Sequence, residues 1–483
     1  MMRSLYSGVA GLKVHQTKMD VIGNNIANVN TIGFKSSTVN FSDTFYQTIS
    51  AASGASGDQG IAGTNAKQIG LGSLVAAITT NITGQGGTQN TDRSMDIAIN
   101  GDAFLIVKSN GVTYFTKSGA LNVDEEGTLY CTTNGATVQG WLADAEGNIT
   151  QDTVKDLRVM TADKMYIDPT ATTKITMKGN IDQNDDDVQN TGEDTAFSTG
   201  LVMTFSFYDQ LGQEYLVKMI AQQDADTAGM YKMKLSDIYD STGASIFSKA
   251  TEADGAVTYA PSGATVTIGD AEFSAEVSES TGALTWGDST FDLVFNASTG
   301  NFNYVGAEGQ DTVTFTVNSG DDAANPFPVD GITLDFSNMT QYDQGGVSNT
   351  SYEKGIDGSG TGNYAGNMIG ISISDDGKIY GVYDNGESKC LAQIAVATFS
   401  NPSGLEAVGN SLFATTLNSG EFDGVGCEIS TVGSFTVGAL EMSNVDLATE
   451  FTNMITTQRG FQANSRIITT SDSMLEELVN LKR

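Results

Sequence analysis

The sequence predicts a mainly β protein whose two ends are α-helices. Three features carry this: an interrupted heptad stripe at each terminus, short alternating runs between them, and 55 glycines against 5 prolines in 483 residues. With 39% hydrophobic and 17% charged residues the chain can bury real cores, and its length calls for two to four domains.

At the N-terminus Leu5, Val9, Leu12, Met19 and Ile26 fall at spacings of three and four or their sums, with Gln16 and Gly23 at the skipped positions. The C-terminus follows the same rule through Leu447, Phe451, Met454, Phe461, Ile468 and Leu475, with Gln458, Ser465 and Asp472 in the gaps. Ser443 or Asn444 is expected to cap this second helix, and Lys482 with Arg483 suits the negative end of its dipole. A helix over 443–482 would be about 60 Å long at 1.5 Å per residue. The ordinary expectation for two such stripes is an antiparallel pair packed on the protein's own core. Stripes broken by Gln, Ser and Asp bury little apolar area, however, so these helices should be marginal alone and firm when packed with others.

Between the ends the pattern turns to strands and tight turns. Residues 96–130 carry the Asn100-Gly101 and Asn110-Gly111 turn signals, residues 200–221 read as two strands about a turn, and 366–399 as a meander. The Gly/Ser-rich pieces at 50–64 and 355–366 read as linkers or domain crossings.

Charge is unevenly placed. The net charge is −34, yet residues 1–50 carry four basic and two acidic groups and residues 441–483 carry four and six, so the middle holds essentially all of it. So acidic a surface repels nucleic acid and anionic lipid, and keeps copies apart except where the charge thins out. The ends are therefore the candidate contact regions. No stretch approaches the roughly 18 apolar residues of a membrane span, and the first twenty residues lack the apolar core of a cleavable signal. The chain is expected either to stay in the cytosol or to leave by a route that reads no cleavable signal, without membrane insertion.

Catalytic chemistry finds little footing. His15 is the only histidine and sits in the expected N-terminal helix, and there is no GxSxG, HExxH or GxxxxGK[ST]. Among 58 acidic residues some carboxylates will always lie close, which keeps a secreted acidic β-rich hydrolase as the alternative of a different class. Cys131, Cys390 and Cys427 show neither disulfide nor zinc spacing. Residues 182–193 imitate a calcium loop, with Asp182, Asn184, Asp186 and Glu193 at ligand positions. Asp187 stands where such a loop needs glycine, so a solvated acidic loop is expected. Neither metal nor cofactor is expected.

The stretch NNIANVNTIGFK (24–35) resembles the N-terminal signature of the bacterial flagellar rod and hook protein family, and residues 439–483 resemble that family's C-terminal helix almost throughout. Inner stretches also match: INGDAFLIV, YFTKSGAL, TVQGW, FYDQLGQE and LAQIAVATFSNPSGLEAVGNSLFATTLNSG (391–420). The long section 146–351 favours the hook branch over a rod or hook-associated paralogue.

The resemblance implies a nested architecture. In it, 1–35 and 440–483 pair as an axial coiled-coil-like helical domain, and 36–90 connects. Residues 91–145 and 352–439 form an inner β domain, and 146–351 form one or two outer β domains. It also implies a homopolymeric, flexible, curved tube that acts as a universal joint between motor and filament. Its partners would be the rod, the hook cap, the hook–filament junction proteins and the flagellar type III export apparatus. The contact residues it implies are Asn24, Asn25, Ala27, Asn28, Thr31, Gly33 and Phe34 in the first motif. In the last helix they are Leu447, Phe451, Met454, Gln458, Arg459, Phe461, Gln462, Asn464, Ile468 and Leu475.

Overall fold

The computed structural model describes residues 2–54, 62–189, 200–253, 256–320 and 325–481. They form two compact units, one of Met1–Met165, Ile369–Val382 and Ser388–Arg483, the other of Tyr166–Met368 and Tyr383–Glu387.

The first unit contains both terminal helices, α1 (Met2–Ala27) and α2 (Leu447–Asn480). Their 26 and 34 residues make rods of about 39 and 51 Å. The cap of α2 is Asp446 rather than Ser443 or Asn444: its carboxylate accepts from the Ala448 amide and from Thr449 Oγ1. Ser443 Oγ instead accepts from the Val445 amide, and Asn444 is spent on Ser36, Asn81 and Gly84 of the N-terminal segment. Lys482 and Arg483 lie outside the described residues.

The helices run antiparallel in one constant register. Asn25 meets Glu450, His15 lies against Gly460 and Gly11 against Asn464, each step along α1 matched by an equal step back along α2, and Gly8 then lies against Ile467 and Ile468. Glycine permits the approach: a Cβ at Gly460 would stand 2.7 Å from His15 Cε1 and one at Gly11 2.5 Å from Asn464 Nδ2. Carried to the end of α1, this register leaves the last turns of α2, from Met474 onward, extending past it.

Within 36–90, expected as a connecting region, the described residues of 37–53 and 64–80 pair as an antiparallel ribbon, and Thr88–Asn90 pairs instead with Ala439–Glu441. Ser37–Asp43 pairs with Ser73–Thr80, Tyr46–Ser50 with Lys67–Gly70, and a Ser53–Thr64 bridge lies nearer the tip. The ribbon leans on α1 through Phe41, whose ring stands edge-on to His15 at 6.1 Å. Further out it exposes Phe45 (87%), Tyr46 and Ile49.

The sheet of this unit runs in the order Lys378–Tyr383, Ser388–Ile394, Thr137–Leu142, Phe104–Ser109, Val112–Thr116, Leu412–Ala414, Glu406–Gly409. Asn110 and Gly111, both at positive φ, make the two-residue hairpin that the sequence signals, with Ser109 opposite Val112. Asn100-Gly101 does not. It ends Ile97–Gly101, which pairs with Gly433–Val437, and a Cβ at Gly101 would come within 2.6 Å of the Val432 carbonyl oxygen. The turn signal there reflects close backbone approach. Phe104, Ile106, Phe115, Trp141 and Phe413 fill the core, with Phe399 and Phe422 edge-on to Phe115 at 4.7 and 5.4 Å.

The second unit closes two sheets on one core. One sheet orders Leu284–Trp286, Ala271–Val277, Thr265–Ile268, Thr312–Asn318, Ile332–Thr340, Lys174–Asn180, Asn349–Lys354. The other orders Leu201–Tyr208, Glu214–Gln223, Met230–Tyr239, Phe291–Phe295, Phe302–Val305. Leu201–Tyr208 and Glu214–Gln223 are the two strands about a turn read at 200–221. Phe205, Phe207, Phe315 and Tyr231 anchor the shared core.

The calcium-like segment resolves into an anchor. Asp182 is fully buried, and its two carboxylate oxygens accept from the amides of Asn184, Gln344 and Gly346, while Asp185 accepts from the Ser348 amide. These amides hold Asp182 below the usual carboxylate range and leave its oxygens committed to the fold. Glu193 lies outside the described residues.

Candidate functional site

Where α1 ends, the motif residues knit three elements together. Asn25 is 1% exposed; its Nδ2 donates to the Ser37 carbonyl and to Glu450 Oε1 at 2.8 and 2.9 Å, and its Oδ1 accepts from the Ser37 amide at 3.0 Å. One amide side chain thus joins α1, the ribbon and α2. Asn28 Nδ2 turns back to the carbonyl and side chain of Asn24, and Asn28 Oδ1 accepts from Thr31 Oγ1, which closes the helix end. Gly33 adopts φ +66°, and its amide donates to the Glu441 carbonyl at 2.9 Å.

Beneath this turn lies a buried ion pair. Lys35 Nζ stands 2.7 Å from Glu441 Oε1, with both side chains almost wholly excluded from solvent. Nζ also donates to the Gly84 carbonyl, and the same carboxylate oxygen accepts from the Gly86 amide. Asn444 completes the seam, accepting from the Ser36 amide and donating to the carbonyls of Asn81 and Gly84. Nearby Lys117 donates to the Gly101 carbonyl and lies over the Phe104 ring at 4.9 Å. Burial, reinforced by the charge of Lys35, lowers its pKa from 10.5 to about 8.

The predicted contact residues separate into three sets. Asn25 and Gly33 are buried within the chain's own junction, while Asn24 and Ala27 are exposed and Asn28, Thr31 and Phe34 half-buried. On α2, Met454, Phe461, Asn464, Ile468 and Leu475 are half-buried and share by spacing the face that meets α1. Leu447, Phe451, Gln458, Arg459 and Gln462 are exposed. The buried residues of α2 are Glu450, Thr457 and Ser471. Six of its exposed apolar residues form two outer rows: Leu447, Phe451 and Ile455 on one flank, Ile467, Met474 and Leu478 on the other. At about 100° per residue these rows lie roughly 100° to either side of the face meeting α1.

On α1 the predicted stripe is one position off. The buried positions are Gly8, Gly11, Val14, Ile22 and Asn25, whereas Val9 is exposed, because two glycines and an asparagine make the seam and a hydrophobic count passes over them. Lys35, Glu441, Asn444 and Glu450 were also missed. A lone charge among apolar and small residues, as in GFK and ALEM, is the signal that marks such a buried pair.

Three family models match the chain: a flagella basal body rod protein model over residues 5–35, a flagellar hook protein FlgE/F/G D1 domain model over 98–183, and a flagellar basal body rod FlgEFG protein C-terminal model over 436–481. The first and last enclose the junction. Across its full length the chain is 36% identical to the flagellar hook protein FlgE of Borreliella burgdorferi and 34% identical to that of Treponema pallidum, each alignment covering all of both chains. The chain belongs to the flagellar hook protein FlgE family.

As a member of that family it is a structural subunit of the bacterial flagellar hook, and the hydrolase alternative finds no support. FlgE-family chains are structural rather than enzymatic, and family membership implies self-polymerisation within the flagellum. No helix among the described residues is long and apolar enough to cross a membrane. The crystal structure of Helicobacter pylori flagellar hook protein FlgE2 aligns at 12% identity and a TM-score of 0.32, over 73% of this chain and 100% of that one.

Proposed function

We propose that α1 and α2 form the axial wall of a hollow, curved hook tube, and that the tube bends while it transmits torque from rod to filament. The observation that carries this is α2 itself. A 34-residue helix that buries no apolar side chain completely, yet carries apolar rows on two flanks, has its stabilising surface still to be covered. Covering the remaining half of a side chain such as Phe451 (49% exposed) is worth about 1 kcal/mol, and helices of neighbouring copies are the natural cover in a homopolymer.

The near-neutral ends then meet along the axis while the acidic middle faces water and discourages clumping between tubes. Bending requires outer contacts that slide, which polar Ser/Thr/Asn/Gly surfaces permit better than dry apolar ones. The same proposal takes the helical ends as the axial domain, the β regions beside them as an inner domain and 146–351 as the outer one. It gives the chain no catalytic role. Rod, cap and junction proteins are its partners at the tube ends, and type III export without signal cleavage is its route out.

The test is tube formation by purified chain carrying Phe451→Ser. The expected result is a monomer with unchanged β-sheet circular dichroism that grows tubes at least tenfold more slowly by light scattering. Growth at the wild-type rate would overturn the assignment of that flank.

A further inference from the structure

The turn at 416–419 presents one apolar side chain with nothing around it. Leu417 is fully exposed (101%), yet its turn is tightly held. The Thr416 amide donates to Ser419 Oγ and Ser419 Oγ to the Thr416 carbonyl; Thr416 Oγ1 donates to the Gly404 carbonyl, and Asn401 Nδ2 to the Asn418 carbonyl. Ser419, at the base, is completely buried. A side chain displayed on so fixed a pedestal loses little freedom on being covered, which is the property of a docking knob.

The same unit holds a cavity of about 470 Å³ between the N-terminal motif and the hairpin Glu406–Gly409/Leu412–Ala414. Asn28, Thr31, Phe34, Ala407 and Leu412 line it, and no carboxylate does. Its lysine, Lys35, is already neutralised by Glu441. Residues 407–420, which carry both the cavity's hairpin wall and the knob, contain no charged side chain. On a chain of net charge −34 these are surfaces that two copies can bring together without opposing carboxylates. Knob and cavity lie at opposite ends of one short hairpin: Asn410 and Ser411 turn at the cavity, and the Thr416–Gly404 bond closes the far end.

We propose that Leu417 of one copy seats in the motif cavity of a second copy, and that this contact joins neighbouring subunits head to tail. A knob and a hole on separate patches make a heterologous contact, which propagates from copy to copy and yields an open helical array when its rotation does not close into a ring. The inference rests on the polymerisation proposed above and names one of its contacts. It also gives Asn28, Thr31 and Phe34 an intermolecular role that Asn25 and Gly33, occupied inside the chain, do not have.

The test uses full-length chain carrying the photo-crosslinking amino acid p-benzoyl-phenylalanine at position 417, assembled into tubes and irradiated. The expected product is a covalent dimer whose second peptide maps to 24–37 or 404–414. Tubes that give no cross-link, or cross-links mapping elsewhere, overturn this contact and leave polymerisation standing; a wild-type chain that forms no tubes overturns both. In parallel, Leu417→Asp should slow tube growth at least tenfold with an unaltered monomer, and Leu417→Met should restore growth. Wild-type growth by Leu417→Asp contradicts the proposal.

Discussion

Lys35 and Glu441 stand 406 positions apart in the chain and 2.7 Å apart in space, both inside the protein. The pair fastens the segment leaving α1 to the segment entering α2, beside the hydrogen bonds that Asn25 and Asn444 make across the same seam. A buried pair is costly to desolvate, but breaking it from one side costs more, because the remaining charge is stranded.

Glu441→Gln should therefore destabilise the first unit by about 3–5 kcal/mol, the usual cost of removing one partner of a buried pair. The chain's two tryptophans make this measurable: Trp141 lies in the first unit and Trp286 in the second. In a Trp286→Phe background, the urea midpoint followed by Trp141 fluorescence should fall. In a Trp141→Phe background, the Trp286 midpoint should stay where it was.

Lys117 gives the same unit an alkaline dependence. Its pKa is about 8 in the folded chain against 10.5 ordinarily, so between those values the unfolded chain binds more protons. The contribution of Lys117 to stability must then rise with pH across that window, and below it the cost of the buried charge is fully present. Lys117→Met should flatten this rise when Trp141 urea midpoints are compared from pH 7.5 to 10.5; parallel curves for the two proteins would refute the role given to Lys117.

Gly33 cannot easily be replaced. At φ +66° an added Cβ would lie 3.1 Å from backbone atoms of Lys117 and Ser118, so strain and contact act together. Gly33→Ala should cost about 1–3 kcal/mol by the Trp141 midpoint. Ala27, exposed on the helix beside it, should accept serine with a change below about 0.5 kcal/mol.

Phe461 lies on the face of α2 turned toward α1 and is only half covered there. Phe461→Ala is expected to abolish tube growth by light scattering while the circular dichroism of the β units is retained. Normal tubes from that variant would exclude Phe461 as a contact.

The sequence made the element types legible because their periods are local: a 3.5-residue stripe at each end, the Asn110-Gly111 hairpin, the paired strands at 201–223. It misplaced what depends on partners far along the chain. The α1 seam is built from Gly8, Gly11 and Asn25, which carry no hydrophobic signal, and is legible only beside α2. Asn100-Gly101 carries a turn signature but serves a strand, because Gly433 approaches it from 332 residues away. Asp182 has calcium-loop spacing, yet amides from the 344–348 loop claim its oxygens.

The central claim is that the terminal helices are completed by other copies of the chain. Hydrogen exchange of residues 2–27 and 447–480, compared between purified monomer and assembled tube, tests it most directly. The account predicts rapid exchange of both helices in the monomer beside a protected β core, and strong protection of the same amides in the tube. Equal protection of the helices in both states would contradict it, since they would then be complete within a single chain.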